Sequence, residues 1–168
     1  MPGTYVKIQS VTVDATPAAT IDFSSIPATY DDLLLRVSLR TNNTDTPVMV
    51  YFNTDYTDAN YSVRRLLGSG SATSSASFSA PYLIYANVST YTASTFCNAD
   101  VYIPNYVGST NKSVSADSVN ENNATGAEAV LTAGLWSNTA VINAIRVDAL
   151  TGSFVQYSTA TLYGIKKS

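Results

Sequence analysis

Histidine is absent from this chain, and cysteine occurs once, as Cys97. The first absence removes Ser-His-Asp and Cys-His nucleophilic machinery, histidine zinc sites and the side chain that most readily moves protons near neutrality. A single cysteine excludes an intrachain disulfide framework and a thiolate metal cluster. Charge is also scarce: Asp, Glu, Lys and Arg make up 12% of the residues, about half the usual share of roughly 25%. Nine basic residues face twelve acidic ones, with only Arg64-Arg65 and Lys166-Lys167 as basic doublets. Phosphate neutralisation needs a basic stripe, so nucleic acid is not an expected partner. No apolar run approaches the ~18 residues of a membrane-spanning helix, and no membrane partner is expected. The segment Met1 to Lys7 lacks a basic stretch followed by a continuous apolar one, which predicts synthesis in a cytoplasm without a signal peptide. Sequons beginning at Asn42, Asn60, Asn87, Asn111 and Asn123 then read as by-products of composition.

What the chain does have is small uncharged polarity and alternation. Of 168 residues, 55 are Ser, Thr or Asn. Leu33, Leu35, Val37 and Leu39 alternate with Leu34, Arg36, Ser38 and Arg40, the period of a half-buried strand. The same period sets Val48, Val50 and Phe52 against Met49, Tyr51 and Asn53, and Val101 and Ile103 against Asp100 and Tyr102. It continues in Leu131, Ala133 and Leu135 with Thr132, Gly134 and Trp136, in Ile145 and Val147 with Arg146 and Asp148, and in Ala160 and Leu162 with Thr161 and Tyr163. Near the N-terminus the phase slips between Val6/Ile8 and Val11/Val13, which predicts a β-bulge near Ser10. Clusters of Gly, Asn, Asp, Ser and Pro separate the runs as turns. Pro27 to Asp32 predicts a short turn, Glu121 to Glu128 a loop with a brief helix, and Ser69 to Ser79 a polar edge strand or long loop. Together these features predict one all-β domain over residues 1–168, an antiparallel sandwich or barrel of roughly eight to ten strands. Residues 1–10 would form an N-terminal strand or an arm contacting a neighbouring subunit.

Each candidate for chemistry has a plain structural counterpart. Gly68-Ser69-Gly70 lacks the Lys-Ser/Thr of a phosphate loop and reads as a turn. Asn53, Asp55, Asp58 and Asn60 alternate as calcium ligands would, but without a bidentate Glu or a central glycine they read as an Asx-turn loop. Asp31-Asp32 is the only adjacent carboxylate pair, little material for a glycosidase dyad. Tyr82, Tyr85 and Tyr91, with Trp136 elsewhere, offer rigid area to a partner or a glycan, or else line a half-buried strand. Arg64 and Arg65 should point to opposite sheet faces, one of them to pair with a carboxylate across the sheet or to meet a partner or glycan, or else to stand as a solvated charge. Cys97 reads as a small buried hydrophobe. The sequence thus predicts no catalytic residues, no cofactor and no metal, and a protein that is not an enzyme.

Several phrases carry a family resemblance. Phe23-Ser24-Ser25-Ile26-Pro27-Ala28-Thr29-Tyr30-Asp31-Asp32-Leu33 leads into the first strong strand, and Asn60-Tyr61-Ser62 is followed by Arg65-Leu66-Leu67-Gly68-Ser69-Gly70. Near the end come Gly134-Leu135-Trp136-Ser137-Asn138-Thr139, Ile142-Asn143-Ala144-Ile145, Gly152-Ser153-Phe154 and Ser158 to Ile165. From about Tyr5 to Ile165 the chain resembles a group of small structural proteins of tailed bacteriophages, found as capsid decoration (cement) proteins or as fibre and tail components. The resemblance implies a jelly-roll-like sandwich and a place in the virion, with no catalytic motif. It implies binding of the major capsid protein on the outer capsid surface as a homo-oligomer, with a trimer favoured by local three-fold positions. The alternative it leaves open is a tail or fibre domain binding host-surface glycans.

Overall fold

In the computed structural model, which describes residues 4–124 and 126–166, the alternating runs become strands. They are β1 (Thr4–Thr12), β2 (Thr20–Phe23), β3 (Asp32–Leu39), β4 (Pro47–Phe52), β5 (Tyr61–Gly68), β6 (Thr73–Phe78), β7 (Tyr82–Tyr85), β8 (Cys97–Ile103), β9 (Lys112–Val119), β10 (Ala129–Trp136), β11 (Ile145–Asp148) and β12 (Thr159–Lys166). Twelve strands among the described residues exceed the eight to ten expected, the short β2 and β7 lying outside the alternating runs. The one helical turn among the described residues is the 3-10 turn Asp58–Asn60, not the 121–128 loop.

All strand pairings are antiparallel, in one eight-stranded sheet ordered β1-β12-β3-β8-β9-β10-β5-β6 and one four-stranded sheet ordered β2-β11-β4-β7. Setting aside β1, β12 and the β9–β10 hairpin leaves β3-β8-β5-β6 facing β2-β11-β4-β7, two interleaved four-stranded layers of the jelly-roll kind. The hairpin is inserted between β8 and β5 and widens the large sheet well beyond its partner.

Between the layers the apolar phases meet. Leu33, Leu35, Val37 and Leu39 are at most 2% exposed, and they share a core with Val48, Val50, Phe52, Val101, Ile103, Val147 and Leu162. Cys97 lies in the same core, and burial pushes its thiol up to about 11, which makes it inert. β4 departs from simple alternation, since Met49 and Tyr51 on its other face are buried too. The loop after β4 covers them: Tyr51 packs edge-on against Tyr56, and its hydroxyl donates to Asp58. β1 pairs with β12 of its own chain, and the extra residue falls at Ile8, two positions before Ser10. That shift lets Ile8 and Val11 both lean on the core. Residues 1–3 of the suggested arm lie outside the described residues. β6 is the polar edge strand, and Gly70 supplies the positive φ of the turn before it.

Candidate functional site

Pairing register arranges the outer face of the large sheet into rows. One row crosses all eight strands: Ser10, Thr161, Arg36, Asp100, Asp117, Leu131, Leu66 and Ser75. The row beside it runs Lys7, Tyr163, Leu34, Tyr102, Ser115, Ala133, Arg64 and Ser77. The half built on β1, β12, β3 and β8 is internally paired. Arg36 makes a two-pronged ion pair with Asp100 (2.8 and 2.7 Å), and Leu34 is covered between Tyr163 and Tyr102. The half built on β9, β10 and β5 is apolar and open. Leu66 is 54% exposed, Leu131 62% and Val119 45%, with Ala129, Ala133 and Gly68 around them. Shallow depressions of about 290 and 410 Å³ lie on either side of the Leu66–Leu131 pair. Asp117 borders this stripe, and burial followed by the nearby Asp100 charge raises its carboxyl above the ordinary value.

This stripe was not foreseen. In β10 the phase bearing Leu131, Ala133 and Leu135 faces solvent, while Val130, Thr132, Gly134 and Trp136 face inward. Trp136 decides the phase: it is 1% exposed, stacks on Tyr61 (6.4 Å, 18°), and donates its indole N–H to Asp55 at 2.8 Å.

On the inner side, where the large sheet outgrows the small one, the lining turns polar. Arg65 and Thr132 are cross-strand partners there, and the guanidinium of Arg65 lies between the rings of Phe78 (5.2 Å) and Tyr85 (5.0 Å). It also donates to the Tyr85 hydroxyl. Arg65 Nε, Thr132 Oγ1, Asn120 Nδ2, Asn122 Oδ1 and Glu128 Oε2 are buried without a hydrogen-bond partner among the described residues. Arg64 and Arg65 do point to opposite faces, Arg64 outward and exposed. Truncating Arg65 to Ala should therefore cost about 1.5 kcal/mol through the lost aromatic slot, and Arg64→Ala less than about 0.5. Equal losses in thermal melts would contradict this in-and-out placement.

The tyrosine platform is not assembled. Tyr85 is 2% exposed beneath Arg65, so it belongs to the interior and not to a contact surface. Tyr82 is half-buried and edge-on to Phe78, and Tyr91 lies half-buried against Gly126. Three of the four residues considered for calcium have side-chain oxygens in structural hydrogen bonds. Asn53 Oδ1 accepts from the amides of Asn143 and Ala144, Asp55 binds Trp136, Asn60 and Thr57, and Asp58 accepts from Tyr51. Asp32 of the carboxylate pair is 1% exposed and accepts from the Tyr102 hydroxyl (2.7 Å) and the Asn105 amide (2.9 Å).

Fold and face together define an antiparallel all-β sandwich with one uncovered apolar sheet face. No protein-family model, curated protein or solved structure matches the chain.

Proposed function

We propose that this chain is a non-enzymatic structural protein of a phage virion, a capsid decoration (cement) protein that binds the outer capsid surface and stabilises the shell. The observation that carries its assembly role is the open leucine face on β5, β9 and β10, an apolar surface left uncovered among the described residues. Side chains apt for chemistry, Asp32 and Asp55 among them, are engaged in holding loops and aromatic rings. The virion assignment itself is supported by the sequence phrases that resemble small phage structural proteins. Surfaces rich in Ser, Thr and Asn can be buried against a protein lattice at modest desolvation cost when hydrogen-bonded. The partner is then the major capsid protein, bound by a homo-oligomer on the virion surface after synthesis in the host cytoplasm. A ligand that binds only the assembled shell stabilises it by mass action.

Purified protein added to bare heads should co-sediment with them and raise the temperature at which they rupture. Heads equally robust with and without it would remove the assignment. Saturable signal on a glycan array, without head binding, would favour the tail or fibre alternative, drawing on Tyr82 and Tyr91.

A further inference from the structure

We infer that the Leu66–Leu131 ridge is where two copies of this chain meet face to face across a two-fold axis. This rests on the assembly role proposed above and names the occupant of its apolar face. Leu66 and Leu131 are direct cross-strand partners on the solvent side, each more than half exposed. The rows on either side hold small residues beside the leucines, Ala133 and Ser115 on one and Gly68 and Ala129 on the other, with Arg64 closing the first at β5 and Val119 the second at β9. A ridge flanked by shallow depressions can receive a second ridge of the same shape, the interdigitation that gives sheet faces a dry core.

Charge points to the same occupant. Asp117 continues the ridge's own row at its β9 end, Arg64 stands in the adjoining row at the β5 end, and neither makes an ion pair among the described residues. A two-fold contact requires a patch that complements itself, with residue i meeting residue j and j meeting i. Two copies packed on this ridge can place Arg64 of each against Asp117 of the other, giving two equivalent pairs around a leucine centre. A three-fold ring needs two different patches, whereas ridge, grooves and both charges lie on one. The inferred unit is therefore a dimer, not the trimer that shell symmetry suggests.

Sedimentation velocity of the full chain over a concentration series tests this. The unmodified protein should sediment as a dimer. A Leu66→Thr/Leu131→Thr variant, with both changes on the solvent side and compatible with strands, should keep the circular-dichroism spectrum of the folded chain while its dissociation constant rises at least about 100-fold. Arg64→Asp and Asp117→Arg should each weaken the dimer, and the two together should regain most of the loss. A monomer, a trimer, or a dimer that survives loss of both leucines through pairing at the β6 edge would overturn the inference. Head binding is scored separately. A dimer that ignores heads leaves the pair and removes the shell role, and a monomer that decorates heads does the reverse.

Discussion

Replacing Asp55 with Ala should lower the stability of the fold by about 3 kcal/mol, a fall of roughly 6–12 °C in melting temperature for a chain of this size. The carboxylate joins three segments. Oδ2 accepts the Trp136 indole N–H at 2.8 Å and the Asn60 amide at 2.9 Å, while Oδ1 accepts the Thr57 amide at 3.2 Å. The Asp55 carbonyl accepts from the Tyr61 hydroxyl, whose oxygen in turn accepts the Phe52 amide. Losing the side chain strands the N–H of a tryptophan that is 1% exposed and packed against Tyr61 and Phe52. The penalty of an unpartnered buried donor adds to the lost charge-assisted bonds. Asp55→Asn keeps an acceptor for the indole and should recover about half the loss. A loss below about 1 kcal/mol in Asp55→Ala would show that the loop stands without this carboxylate.

The same residue gives the fold a defined acid limb. Burial alone would raise the Asp55 pKa, but hydrogen bonds from Trp136, Asn60 and Thr57 outweigh it and hold the carboxyl below 3.8. A carboxyl depressed in the folded state stabilises the protein above its unfolded pKa, and that contribution is lost as pH falls through the folded value. The stability gap between the natural protein and Asp55→Asn should thus stay constant from neutrality to about pH 5 and close as the solution becomes more acidic. Urea unfolding at a series of pH values measures it, and a gap independent of pH down to about 2 would contradict the assignment.

Gly164→Ala should cost about 2–3 kcal/mol, although it adds a single methyl group. Gly164 lies in β12 between Val6 and Leu33, and the ring of Tyr30 rests on it. A Cβ there would lie 2.3 Å from Cγ and Cδ2 of that ring and 2.5 Å from Cδ1. The backbone that carries the ring is tied down. The Tyr30 amide donates to the Tyr106 hydroxyl at 3.3 Å, that hydroxyl donates to the Pro27 carbonyl, and Lys166 sits 5.8 Å from the ring centre. Tyr30→Ala should relieve the clash, so the double variant should be markedly less destabilised than the sum of the two single changes, as denaturant unfolding would measure. Additive losses would mean that the ring and the glycine are not in contact. Here two segments distant in sequence, 23–33 and 158–165, meet around one packing point.

Where one phase of a segment was plainly apolar and the other plainly polar, its inner face was legible. β3, β8, β11 and β12 each bury the phase expected. β10 was not legible in that way, because both its phases hold apolar residues: Val130 and Trp136 in one, Leu131 and Leu135 in the other. Composition could not rank them, and the choice fell to partners far away in sequence, Asp55 and Tyr61. The candidate face followed that choice, so it too was hidden. Tyr85 shows a related limit. Tyrosine suits a contact surface and a core slot equally well, and only Arg65 stacked on it in the folded chain assigns it to the second.

The sequence by itself determined the all-β class, the turns and the opposition of Arg64 to Arg65, because strand period and turn chemistry are local properties of neighbouring residues. The lack of histidine and the single cysteine likewise removed whole classes of chemistry before any fold was considered. Tertiary structure alone decided the order of strands in each sheet, the hairpin that widens the large one, and the outward turn of Leu66 and Leu131. Alternation requires successive side chains to oppose one another, but which side becomes the interior depends on where the second sheet lies.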